Sequence, residues 1–255
     1  MDLPHSQRPI GALLLAFVLI CGACSTETTE SENIASPGIF ARINVDALST
    51  GSSKVTVELN VGGSNGTNIS LTANERLEAS NGIETKVMNR DTDLFDVDYE
   101  VRFDSSESSM PYRVTLFRAN GEIIDGSSVF LPPNFSITLP SVSDTYSVSD
   151  NLLVAWSPPD PGRSITLGIT TRCTNNGGST TVSSQFFDLS DDGFESFPLS
   201  QLSAASSTEV DRTRDCDLSL FLERTRSGNV DPDFGSGGTM NARQVREVED
   251  MTLRF

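Results

Sequence analysis

Strict alternation of apolar and polar residues, in short segments separated by Gly, Asn and Ser, is the feature that most constrains how this chain can fold. Lys54-Val-Thr-Val-Glu-Leu-Asn-Val61 is the cleanest case, with Val55, Val57, Leu59 and Val61 on one face. A side-chain period of two belongs to a strand with one face buried. Ala41–Leu48 and Asn68–Ala73 alternate in the same way. Further short runs follow at Ile83–Met88, Leu94–Phe103, Tyr112–Arg118, Glu122–Ile124, Ser128–Leu131 and Ser136–Leu139. Within Leu94–Phe103, the residues Phe95, Val97, Tyr99, Val101 and Phe103 are placed to face a core, while Leu94, Asp96, Asp98 and Glu100 face water or a ligand. No convincing helical period competes with this pattern. The expectation is an all-β chain built as antiparallel β-sandwiches. Asn120-Gly121 carries a type I′ turn signal and predicts a hairpin between Arg113–Arg118 and Glu122–Ile124.

Beyond Pro140 the alternation continues. Strands are expected at Thr181–Leu189, Phe194–Leu199 and Cys216–Glu223, the last with Leu218, Leu220 and Leu222 on one face. Gln201–Ser207 allows a short helical turn, Val230–Thr239 reads as a Gly/Asp loop, and Asn241–Phe255 supplies one or two closing strands. Asn151-Leu-Leu-Val-Ala-Trp-Ser-Pro-Pro-Asp160, followed by Ser164–Thr171, resembles the second and third strands of fibronectin type III domains. In that family a buried Trp ends one strand and prolines open the next loop, which implies that Trp156 is a core anchor. Gly168 departs from the family, standing near where a core Tyr is common. An immunoglobulin-like pattern fits less well, because Trp156 precedes both downstream cysteines. The organisation expected is a sandwich at 37–139 and a second at 140–255, with one larger sandwich as the alternative.

Ahead of the strands, Ile10–Cys24 (IGALLLAFVLICGAC) is too short an apolar run for a bilayer span and suits an export signal. Its end, Cys21-Gly22-Ala23-Cys24, resembles the lipobox of bacterial lipoproteins, in which small residues precede a cysteine that is acylated and becomes the new N-terminus. The resemblance implies a signal peptide at 1–23, lipidation at Cys24, and a membrane contact made through the lipid. Ser25 after that cysteine implies the outer membrane of a Gram-negative envelope. Cys21, three residues before Cys24, departs from the family's usual Leu. Residues 24–36, with the acidic run Ser25–Ser36, are expected to be a disordered tether.

Charge and chemistry narrow the function. The formal net charge is −17, which disfavours nucleic acid and anionic head groups as partners. The one histidine, His5, lies inside the signal, so the processed chain has no Ser-His-Asp site, no Cys-His site and no imidazole metal ligand. Cys173 and Cys216 remain, and a pair in an exported chain is most simply a disulfide, with two buried thiols as the alternative. Acids gather at Asp188, Asp191, Asp192 and Glu195, and again at Asp231 and Asp233. The first group is a weak calcium candidate, set against the plainer reading of an Asp-Gly turn. Paired carboxylates also leave room for a glycan hydrolase. The expectation is a non-enzymatic binding or scaffold module of the cell envelope, with an envelope protein or glycan as partner and no catalytic residue. The alternatives are a carboxylate-dependent hydrolase and a calcium-stabilised, adhesion-like module.

Overall fold

The computed structural model describes residues 28–49, 51–92 and 96–255. The export segment with Cys21 and Cys24, and the pair Leu94 and Phe95, lie outside the described residues. The first half of the chain forms β1 (Thr29–Glu30), β2 (Ile39–Ser49), β3 (Ser52–Val61), β4 (Ile69–Ser70), β5 (Arg76–Ser80), β6 (Thr85–Val87), β7 (Asn89–Thr92), β8 (Val97–Phe103), β9 (Pro111–Phe117) and β10 (Ile123–Phe130). The second half adds β11 (Ser136–Leu139), β12 (Thr145–Ser147), β13 (Asn151–Ser157), β14 (Ser164–Thr174), β15 (Thr180–Ser190), β16 (Phe194–Pro198), a single helical turn α1 (Ser203–Ser206), β17 (Cys216–Ser227) and β18 (Gly238–Arg254). The fold is an all-β sandwich. No helix among the described residues is long and apolar enough to cross a membrane.

One long sheet runs through both halves in the order β15-β14-β17-β18-β2-β3-β8-β7, with β12 also paired to β18. A shorter sheet, β10-β9-β5-β6, faces it in the first half, and β11-β13-β16 faces it in the second. Between the layers lie two apolar cores. The first collects Ile43, Val57, Leu77, Phe103, Tyr112 and Leu116, together with Phe234, Met240 and Ala242 from the C-terminal part of the chain. The second collects Phe135, Trp156, Leu167, Leu220, Leu222 and Leu253. The 17-residue strand β18 serves both. Its Gly238–Gln244 portion pairs in parallel with β2, and its Thr252–Arg254 portion pairs in parallel with β12. At roughly 3.3 Å per residue such a strand reaches about 55 Å, enough to line both cores. Within the second core the ladder with β17 slips between Leu218 and Leu220, and Asp250 takes a φ of 58°. An extra residue in a strand bends it and re-aims its side chains.

Several local expectations are corrected. The hairpin at Asn120-Gly121 forms, but Gly121 alone has positive φ (87°), with Gly121 N–H donating to Arg118 O and Arg118 N–H to Glu122 O. That is a type I turn followed by a glycine bulge, not type I′, because Asn120 keeps the ordinary hand. Glu122–Ile124 and Ser128–Leu131 are one strand, β10, carrying an irregularity between Ile124 and Ser127. Ser136–Leu139 pairs with β13, so it belongs to the sheet of the second half. The disordered tether expected over 24–36 is also corrected where it is described. β1 pairs with β4, and Ser31 and Ser36 are fully buried. These polar residues are ordered because a buried ion pair, rather than water, satisfies them.

Candidate functional site

Three arginines extend the inward-facing series of their strands. On β9, Tyr112, Val114 and Leu116 lead to Arg118. On β17, Leu218, Leu220 and Leu222 lead to Arg224, and on β18, Met240, Ala242 and Gln244 lead to Arg246. A guanidinium forced inward by strand phase must find acceptors, because an unpaired buried charge is very costly. Arg118 Nε donates to Glu75 Oε1 at 2.7 Å, and its other nitrogens donate to Ser31 O, Ile34 O and Ser36 Oγ. Ser31 Oγ completes the group by donating to Glu75. Burial pushes the Glu75 carboxyl up, but Ser31, the Thr72 backbone and Arg118 together outweigh it and hold it below the usual range.

Arg224 is held in the same manner at the junction of the halves. Its Nε and Nη2 donate to Asp191 at 2.6 and 2.9 Å, and further bonds reach Pro133 O and Pro158 O. Trp156 Nε1 donates to the same carboxylate at 2.7 Å. Desolvation raises the Asp191 pKa, yet Arg224, Trp156 and the Asp160 backbone reverse the sign and leave it lowered. Arg226 Nη1 donates to Leu131 O, Gln244 Nε2 to Pro132 O, and Arg246 to Phe135 O and Asn134 Oδ1. The linker Leu131–Phe135 is therefore clasped by four side chains of β17 and β18. Both Arg224 and Arg246 also lie over the Phe135 ring, at 4.5 and 5.5 Å.

Against this clasp opens a cavity of about 410 Å³ lined by Pro132, Asp160, Arg163, Ser164, Asp191, Arg224, Thr225, Arg226 and Ser227. Its volume lies within the range of small-ligand pockets. Arg224 is fully engaged and forms the floor. Arg163 is exposed and pairs with no acid among the described residues, and Arg226 donates one of its N–H groups to the Leu131 carbonyl, so both have donors to offer a ligand. Two forks of planar donors suit an anionic group. Asp191, held ionised by its arginine, is a poor general acid.

The acids singled out in the sequence do not converge. Asp188 accepts from Thr166 Oγ1 on the outer face of β15, Asp191 is buried under Arg224, Asp192 caps the Phe194 N–H, and Glu195 accepts from Ser196 N–H. Their turn is built by local hydrogen bonds and one ion pair. Asp231 accepts from the backbone of Gly126 and Asp233, so it braces the 230–237 loop. Trp156 is 2% exposed and sits in the second core. Cys173 and Cys216 are joined in a disulfide across the adjacent strands β14 and β17, with Cα atoms 4.5 Å apart. Gly168 leaves room for Phe221, whose ring would lie 2.2 Å from any Cβ there. The arginine cavity was not visible in the sequence as a site. Its one signal is the phase of Arg224 and Arg226 at the end of an apolar alternation.

No protein-family description matches the chain, and no curated protein matches it. Among solved structures, it is similar to a cytokine receptor complex (10% identity, 78% of this chain and 97% of that one, TM-score 0.29). It is also similar to fibronectin(III)-like modules of Clostridium thermocellum CbhA (12%, 82% and 90%, TM-score 0.21). A third is the Bacteroides ovatus mixed-linkage glucan utilisation locus protein SGBP-B in complex with a mixed-linkage heptasaccharide (14%, 97% and 70%, TM-score 0.20). Superposition at this level carries neither a family nor a function across to this chain.

Proposed function

We propose that this chain is a non-enzymatic binding module of the bacterial cell envelope, held at the outer membrane by a lipid on Cys24, and that it recognises an anionic sugar in the arginine cavity. The observation that carries the reading is the pair Arg163 and Arg226, which bring two guanidinium groups to one open cavity on a protein of net charge −17. A surface so acidic repels anions in general, so a local concentration of arginines selects them at one place. The guanidinium forks of Arg163 and Arg226 suit the carboxylate of such a sugar. The disulfide fits an oxidising compartment outside the cytoplasm.

Calorimetry with a uronic-acid oligosaccharide and its neutral counterpart tests the recognition. The acidic sugar binds and the neutral one does not, and Arg163→Ala or Arg226→Ala weakens binding by about tenfold, the loss expected of one charge-assisted hydrogen bond. Equal binding of both sugars, or binding indifferent to either substitution, removes the reading. The mass of the processed N-terminus tests the anchor, and an unacylated Cys24 removes it.

A further inference from the structure

β15 (Thr180–Ser190) ends the long sheet: it pairs with β14 along its whole length and, among the described residues, with no other strand. An edge of unpaired N–H and C=O groups is a template for another strand, and native folds guard it with a lysine, a proline, a bulge or a short length. β15 has none of these. Its eleven residues, TTVSSQFFDLS, hold an unbroken register from Ser164 opposite Ser190 to Thr174 opposite Thr180. Phe187 and Leu189 pack on the second core, so odd-numbered residues face inward and even-numbered ones outward. The α1 turn lies on that inner side, where Ser203 N–H donates to Gln185 Oε1. On the outer side Val182 is 51% and Phe186 64% exposed. Phe186 stands in one cross-strand row with Gly168 and Phe221. Because Gly168 has no side chain, the two rings meet across it, 6.0 Å apart. The apolar row therefore runs out to the open edge and stops there.

Two observations make a second copy of this chain the neighbour that fits. The first is symmetry. Val182 and Phe186 stand equally far from Ser184, so two β15 strands set antiparallel about a two-fold axis at Ser184 place Val182 of each opposite Phe186 of the other. Aromatic and β-branched residues are favourable cross-strand partners. A slip of two residues, the smallest that keeps the faces, sets Phe186 against Thr180 or Ser184 instead. The second observation is charge. At a net charge of −17 two copies repel one another, but residues 174–190 carry a single charge, Asp188. In the Ser184 register each Asp188 falls opposite Thr180 of the other copy. The two Asp188 residues then stand about 27 Å apart along the strands at ~3.4 Å per residue, well beyond a Debye length of about 10 Å.

We propose that the chain forms a two-fold symmetric dimer in which β15 pairs antiparallel with β15 of a second copy, Ser184 on the axis, joining the two long sheets into one. Sedimentation velocity of the full chain in density-matched detergent at about 100 μM shows a dimer. Phe186→Asp weakens it by about a hundredfold or more, since symmetry removes both Val182–Phe186 pairs at once and sets a charge in each. Phe186 is exposed, so the far-ultraviolet spectrum of that variant stays that of the parent, which separates loss of pairing from loss of folding. Directly opposite residues have Cβ atoms about 4.5–5.5 Å apart, close enough for a disulfide. Under mild oxidation Ser184→Cys therefore links two copies to an extent the parent does not. Thr180→Cys alone does not link, but mixed with Asp188→Cys it does, which reads the register. A parent that is monomeric at that concentration overturns the proposal, whatever other strand the edge accepts. So does a dimer that survives Phe186→Asp, or one in which Ser184→Cys copies fail to link.

Discussion

Arg118 in the first half and Arg224 in the second stand at the same point of their strands, where an inward-facing apolar series runs out, and each is paired with a buried carboxylate. What they hold differs. Arg118 and Glu75 gather the backbone of residues 31–36 onto the first half alone. Arg224 and Asp191 gather the linker at Pro133 and the loop at Pro158, beside Arg246, Gln244 and Phe135. In both places the charge is placed to satisfy carbonyls of irregular backbone, for which strand pairing offers no donor. An apolar replacement of the pair would leave those carbonyls buried and unmet. The first clasp closes one edge; the second joins two cores.

The largest effects should come from breaking these pairs singly. Arg224→Ala leaves Asp191 charged without its cation and takes the donor from two carbonyls, Pro133 O and Pro158 O, and should cost roughly 3–5 kcal/mol. Urea unfolding followed by the fluorescence of Trp156, which donates to that carboxylate, reads the second half directly. Arg118→Ala should cost a similar amount in the first half, about 3–5 kcal/mol, and expose residues 29–36 to proteolysis while moving the Trp156 midpoint little. If Arg118→Ala moves that midpoint as far as Arg224→Ala does, β18 couples the cores into one unfolding unit and the two clasps are energetically one.

A second difference between the halves is the disulfide, present only in the second. It closes a separation of 43 residues, for which the chain-entropy model gives about 4 kcal/mol, with measured values often nearer 2. Cys173→Ser with Cys216→Ser should therefore lower the Trp156 transition by roughly 2–4 kcal/mol and leave the first half's far-ultraviolet transition in place. Loss of both transitions together would again argue for one cooperative unit.

The sandwich was legible because a strand with one buried face writes its period into the chain, as Lys54–Val61 does. β5 was not, since Arg76-Leu-Glu-Ala-Ser80 has only Leu77 and Ala79 to bury and takes its conformation from β9 and β6 on either side. β7, all exposed, had no pattern to read. The Asn120 turn was misassigned by one bulge, a choice made by the register of the flanking strands. The acids of the 188–195 turn were conspicuous by proximity in sequence, whereas Glu58 and Asp98 are neighbours only across a ladder. Asp98 was placed on the solvent or ligand face, but its cross-strand partner Glu58 lies on another strand. The phase of Arg118, Arg224 and Arg246 was readable, and a charged residue on an inward phase is the sequence trace of a buried clasp.

The smallest expected difference between the halves is in their response to acid. Both carboxyls are lowered in the fold, Glu75 and Asp191 alike. A depressed pKa contributes stability that is fully present above the unfolded value and is lost as pH falls through the folded value. An unfolded Glu titrates near about 4.3 and an unfolded Asp near about 3.9, so the first clasp should begin to weaken at the higher pH. Urea midpoints at pH 6, 5, 4 and 3 (about these values), read by far-ultraviolet dichroism and by Trp156 fluorescence, should separate on descent, the dichroism falling first. Glu75→Gln should lower the first half's stability at neutral pH and remove that early fall, leaving the Trp156 limb as it was. Coincident limbs in the parent, unchanged by Glu75→Gln, would place the acid sensitivity in the exposed carboxylates instead of in the clasps.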